Sequence, residues 1–344
     1  MMERVQNNWI LYIAAFASAF AIALLCTPFA KKISIKFNAI DYPKKRGIHK
    51  EPIPRMGGIS IVVGFLVTAA IIMPFVKEMR DPQFYGFIAG AVIIAITGAI
   101  DDIYGLRPRA KLAMQIVVSL IVIYSGTRID FIMWPELIRF EALSAPITMF
   151  WIIGIINAVN LIDGLDGLAA GVSSISALCI MIMCIISGNQ PAAVLAAMLA
   201  GSCFGFLPRN FNPAEVFMGD IGALFLGYVL AVSSIIGLFK SYALLAVVIT
   251  GFAIALPIFD TAFAMVRRVA QGKPIMRADR GHLHHRLIDA GISHVKAVII
   301  LYAVSLVCGI IAIAIALKDV RALLVMTVFV IIMALMIFVY KKRT

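Results

Sequence analysis

Charge is scarce in this chain. Only 14% of its 344 residues are Asp, Glu, Lys or Arg, just 18 are acidic, and 62% are hydrophobic. That balance excludes an ordinary soluble domain, in which about a quarter of residues are charged. The cysteines are few as well. Cys26, Cys179, Cys184, Cys203 and Cys308 lie in or at the edge of apolar runs with no Cys-x-x-Cys spacing. This argues against a disulfide framework or a thiolate metal site and leaves them as small packing residues. No internal repeat is visible, so nothing suggests an inverted-repeat transporter. Residues 1–344 read as a single membrane domain with no soluble one.

What the chain does have is a succession of apolar runs near the roughly 20 residues that cross a bilayer. Eleven spans are predicted, at 9–30, 57–76, 84–100, 112–126, 146–162, 168–187, 191–207, 221–238, 242–266, 295–316 and 321–340. Each must be helical, because lipid offers no partner to a free backbone N–H or C=O. The expected fold class is therefore all-α and polytopic. The first run lacks a small-residue cleavage site and reads as a retained span. Most of the 30 basic residues fall in alternate gaps between spans. The positive-inside rule then puts the N-terminus outside and the C-terminus in the cytoplasm. The net charge of +12 follows from this asymmetry and from contact with anionic lipid. Nucleic-acid binding is excluded, since the basic residues are divided among short loops. The outer loop 127–145 alternates apolar and polar residues in part and predicts a small hairpin. The cytoplasmic loops 31–56, 101–111, 163–167, 208–220 and 267–294 hold the polar residues and form the candidate active-site face.

A charge at mid-bilayer costs about 2.5–3.5 kcal/mol even on lenient insertion scales. The acids that remain in such a chain are thus the first place to look for chemistry. Asp101 and Asp102 end the third span, before Gly105, Arg107, Arg109 and Lys111. The plain alternative is a charged membrane edge, although edges usually carry cations. Asn157, Asn160 and Asp163 recur at a spacing of three, one polar stripe on a helix. Gly164 and Gly167 then turn the chain and bring in Asp166. Mixed amide and carboxylate oxygens suit Mg²⁺; an interhelical hydrogen-bond stripe is the competing reading. Asn210 and Asp220 bracket a polar turn, and Asp220 would also serve as a helix N-cap. His282, His284 and His285 stand with Arg280 and Arg286 in a loop without zinc-protease spacing, a set better suited to phosphates. His49 adds to the positive surface, and His294 reads as surface.

Four motifs in this order resemble the polyprenyl-phosphate N-acetylhexosamine-1-phosphate transferases. They are Asp101-Asp102 with Gly105-Leu106, the run from Asn157 to Gly171, Phe217-Met218-Gly219-Asp220, and His282-Leu283-His284-His285-Arg286. The resemblance covers nearly the whole chain. The leucine after the first histidine is similar to the branch that uses UDP-GlcNAc; the cell-wall branch using UDP-N-acetylmuramoyl-pentapeptide carries three consecutive histidines. Where the family often has serine after Gly222, this chain has Ala223, which supplies no hydroxyl.

The resemblance implies transfer of GlcNAc-1-phosphate to undecaprenyl phosphate with release of UMP, the first step of a cell-envelope polymer such as teichoic acid. It implies Mg²⁺, with Mn²⁺ as an alternative ion, held by Asn160 and Asp220. Asp101, Asp102, Asp163 and Asp166 would be the catalytic acids. Lys111, His49, Asn157, Asn210, His282, His284, His285 and Arg286 would bind substrate. The expected setting is the bacterial inner membrane, with a cytoplasmic active site; a homodimer is left open. The alternatives are the muramoyl-pentapeptide transferase reaction and, in another class, an ion-coupled transporter or a non-catalytic membrane scaffold. A transporter would place acids near mid-membrane, whereas most of these gather at span ends.

Overall fold

A computed structural model describes residues 9–43, 51–134, 136–139, 141–238, 287–289 and 291–317. The described residues contain nine long helices: α1 Trp9–Lys36, α2 Gly58–Ile72, α3 Pro82–Tyr104, α4 Pro108–Tyr124, α5 Ser144–Ile162, α6 Leu168–Ile186, α7 Gln190–Asn210, α8 Gly219–Leu238 and α9 His294–Ala316. Among the described residues, eight helices are long and apolar enough to cross a membrane. The ninth, α4, has 17 residues. Eight of the predicted spans correspond to the eight long helices and a ninth to α4. The predicted spans at 242–266 and 321–340 lie outside the described residues. The loop after α4 forms the expected hairpin, with β3 Phe131–Trp134 antiparallel to β4 Glu136–Arg139. A shorter pair, β1 Ile40–Asp41 and β2 Ile53–Pro54, closes the long loop after α1.

Local chemistry sets the helix ends. Pro82 and Pro108 occupy first-turn positions, where a missing N–H costs nothing. Asn189 accepts from Ala192 N–H at 3.2 Å and caps α7. Gly105, at φ 71°, ends α3 in the left-handed conformation that glycine tolerates. The helix therefore runs past the predicted end at residue 100 and holds both Asp101 and Asp102 in its last turns.

Helices in lipid gain little from hydrophobicity alone, so close backbone approach through small residues matters. On α1 the buried face is Ala15, Ala19, Ala23, Thr27, Ala30 and Ser34. It packs on α7, where Gly201 and Gly205 sit against the backbone of Phe16 and Phe20. At the centre stands α8, whose most apolar stretch is 89% buried. It packs against α2, α3, α5, α6 and α7. Gly222 meets Gly58 of α2, and Gly98 of α3 lies against the backbone of Asp220 and Ile221. Cys179, Cys184, Cys203 and Cys308 are buried, unoxidised packing residues.

Candidate active site

The polar residues singled out in the helices gather at one end of this bundle, where α3, α5 and α7 end and α4, α6 and α8 begin. The α8 start is held from α3. Both carboxylate oxygens of Asp102 accept backbone N–H groups, Oδ1 from Asp220 and Oδ2 from Ile221, each at 3.0 Å. A helix N-terminus leaves such N–H groups unpaired and carries partial positive charge. Asp102, almost fully buried, supplies the cap from another helix. Asp220 is thus not its own helix's N-cap. Arg55 locks the arrangement by donating from Nε and Nη2 to the Asp102 carbonyl oxygen. Arg55 is fixed in turn by main-chain pairing of its neighbours: Phe217 N–H donates to Pro54 O and Gly57 N–H to Phe217 O, both at 2.8 Å.

Asp101 points the other way. Its Oδ1 accepts Leu106 N–H at 2.6 Å, shaping the turn into α4, and its Oδ2 lies 2.5 Å from Lys111 Nζ. Lys111 also donates to Asp220 Oδ1 at 3.3 Å. One ammonium group therefore bridges acids from two helices.

The loop between α5 and α6 forms the facing wall. Asp166 Oδ2 accepts from Asn212 Nδ2 at 2.9 Å and from Ala214 N–H at 3.2 Å. Gly167, at φ 77°, donates its N–H to Asn210 Oδ1 at 3.1 Å, while Asn210 Nδ2 donates to Val216 O at 3.0 Å. Helix α9 grips the same loop. Asp166 N–H donates to His294 Nε2 at 2.9 Å, and Tyr302 OH donates to Gly167 O at 2.5 Å. The reading of His294 as surface is corrected here: its Nε2 meets the site loop and its Nδ1 is buried.

These bonds sort the expected site residues by what their polar atoms face. Asn157 donates to Gln115 Oε1 and Ile153 O, each at 2.8 Å, and its Oδ1 receives a longer contact from Gln115 Nε2. It is engaged between α4 and α5. Asn210 and Asp102 are engaged with backbone. Among the described residues no donor occupies the side-chain oxygens of Asn160 and Asp163, and Asp220 gives one oxygen to Lys111. Burial, with the negative charges of Asp220 and Asp166, pushes the Asp163 carboxyl up to about 7. His49, His282, His284, His285 and Arg286 lie outside the described residues.

The donor set fits a hard divalent cation. Asp163 and Asp220 repel each other, Asp220 shares Lys111 with Asp101, and the carboxylate oxygens are of the type Mg²⁺ prefers. Among the described residues no three Asp, Glu, His or Cys side chains converge as a closed metal site. Two carboxylates and an amide suit an ion whose shell stays open to phosphate oxygens.

Arg55, Gln115, Asn212, His294 and Tyr302 are the residues that sequence reasoning gave no role. Their motif signal is weak: each is a single polar residue, and its partner lies far away along the chain.

The sequence matches the family described as glycosyl transferase family 4 over residues 84–238. It is 38% identical to the probable undecaprenyl-phosphate N-acetylglucosaminyl 1-phosphate transferase of Bacillus subtilis, over 90% of this chain and 86% of the relative. It is 33% identical to the decaprenyl-phosphate N-acetylglucosaminephosphotransferase of Mycolicibacterium smegmatis, over 83% and 77% of the two chains. The phospho-N-acetylmuramoyl-pentapeptide-transferase of Alkaliphilus oremlandii is 30% identical, over 89% and 97%.

Proposed function

The chain belongs to glycosyl transferase family 4, the polyprenyl-phosphate N-acetylhexosamine-1-phosphate transferases, and on that premise we propose that it moves GlcNAc-1-phosphate from UDP-GlcNAc to undecaprenyl phosphate. A lipid phosphate oxygen attacks the sugar-bearing phosphorus of the nucleotide. A new P–O–P linkage forms, the bond to the UMP oxygen breaks, and undecaprenyl-pyrophosphoryl-GlcNAc stays in the membrane. The reaction takes place at the cytoplasmic face of a bacterial membrane and opens synthesis of a cell-envelope polymer such as teichoic acid.

The observation that carries this reading is the bridge of Lys111 between Asp101 and Asp220, with Asp163 near enough to Asp220 to feel its charge, at one end of a membrane bundle. Two anionic substrates must approach each other, so their repulsion has to be offset at a fixed place. Lys111 neutralises phosphate, and Asp101 holds Lys111 and the α3–α4 turn in position. Asp220, Asn160 and Asp163 would hold Mg²⁺, which when bound supplies positive charge to the phosphate oxygens. A phosphate monoester has its second pKa near about 6 and is mostly a dianion at neutral pH. No residue has to act as a base on it, and Asp102, with both oxygens on backbone N–H groups, acts by positioning. His49, His282, His284, His285 and Arg286 take the nucleotide phosphates on the strength of the resemblance.

The test is UMP release from purified protein with undecaprenyl phosphate and Mg²⁺. UDP-GlcNAc should turn over, UDP-N-acetylmuramoyl-pentapeptide should not, and EDTA should stop the reaction. Turnover of the muramoyl nucleotide alone would move the chain to the other branch. No UMP from either would remove the transferase assignment.

A further inference from the structure

The loop carrying Asp163 and Asp166 is held from three directions. Asn210, Asn212 and Ala214 hold it from the end of α7 and the turn that follows. Tyr302 and His294 hold it from α9. His294 is the one imidazole whose environment is described at this site. Its Nε2 accepts the Asp166 N–H, so the ring proton sits on Nδ1. That Nδ1 is buried and has no partner among the described residues. A buried donor without an acceptor is costly. The ring nevertheless sits at the first residue of α9, with its acceptor turned to the loop. Because Nδ1 is sealed, the ring has no free nitrogen for a metal or a phosphate. Its polar contact is the main chain of Asp166.

The α9–loop contact is backed by close packing. The Tyr302 ring fills the space that a side chain at Gly171 would need, so the ring lies directly on the α6 backbone just below the loop. Gly309 likewise packs on Cys179. The Tyr302 and His294 contacts are therefore made from a helix that packs closely on α6.

We propose that His294 is a positioning residue for phosphoryl transfer, setting the Asp163–Gly167 loop through the Asp166 amide and so fixing where Asp163 stands relative to Asp220. The catalytic part of this statement rests on the transferase reading; the loop-fixing part does not.

The test uses the full-length protein in nanodiscs and three forms: wild type, His294→Phe and His294→Gln. Phenylalanine fills the volume without an acceptor, whereas a glutamine carbonyl can take the place of Nε2. Hydrogen–deuterium exchange of residues 163–168 should rise about tenfold in His294→Phe and stay near wild type in His294→Gln, as expected for loss and recovery of one hydrogen bond. In the UMP assay His294→Phe should lose about tenfold in kcat with the KM for UDP-GlcNAc little changed, and glutamine should restore it. Wild-type-like exchange in His294→Phe overturns the proposal, as does equally fast exchange in both variants. If wild type releases no UMP, the transferase reading fails, while the exchange data still decide the role in the loop.

Discussion

The acids at this site divide by whether the protein itself occupies their oxygens. Asp102 faces two backbone N–H groups, whereas Asp220 keeps an oxygen that no backbone group claims. Asp102→Asn offers one acceptor where two are needed and should leave a buried N–H unpaired, at a cost of about 1–3 kcal/mol. Asp220→Asn should leave stability near wild type. Denaturation midpoints of the two variants would separate them, and both should lose UMP release. Asp163 makes a pH prediction. Its folded-state pKa is raised from 3.8 to about 7 by burial and by two neighbouring acids. A raised acid contributes stability that is complete below its unfolded pKa and lost as pH rises through about 7. Without Mg²⁺, Asp163→Asn should therefore gain on wild type as pH rises from about 4 to about 7 in thermal melts. A gap that does not change with pH would show that Asp163 is not held in this environment. The motifs were legible in the sequence because acids are conspicuous in an apolar chain. The division among them was not. One residue type serves as cap, bridge or open ligand, and the partner that decides is as far off as residue 220 is from residue 102.

At the scale of the helices, apolar runs gave most of the spans and missed their ends by a few residues. Asp101, Asp102 and Gly219 looked like loop because they are not apolar, yet all three lie within helices. What ends α3 is the φ of Gly105, which hydrophobicity does not record. The crossings were also hidden, since a glycine at a helix contact reads like any other glycine. Gly98 and Gly154 differ in this respect. A Cβ at Gly98 would stand 2.6 Å from Asp220 O and Ile221 N, while one at Gly154 would meet nothing within 4 Å among the described residues. Gly98→Ala should push α3 off α8, destabilise the protein by about 1–3 kcal/mol and cut activity sharply. Gly154→Ala should be neutral or stabilising by about 0.5–1 kcal/mol. Thermal melts with UMP assays check both, and an unperturbed Gly98→Ala would contradict the packing described.

For the whole molecule the main commitment is sidedness. Single cysteines placed in a background without the five native ones should report it. In intact cells, positions at 105, 164 and 214 should resist an impermeant thiol reagent, and one in the 127–130 segment should react. Labelling of the first set from outside would invert the topology read from the basic residues. The order of synthesis adds a consequence of the Asp102 cap. Asp220 and Ile221 follow Asp102 by 118 and 119 residues. At roughly 5–20 residues per second, the ribosome delivers them roughly ten seconds after α3 has left the exit tunnel. For that interval the Asp102 carboxylate waits at the membrane boundary with no helix to receive it. The newborn third span must stay near water, or beside the insertion machinery, until the eighth arrives.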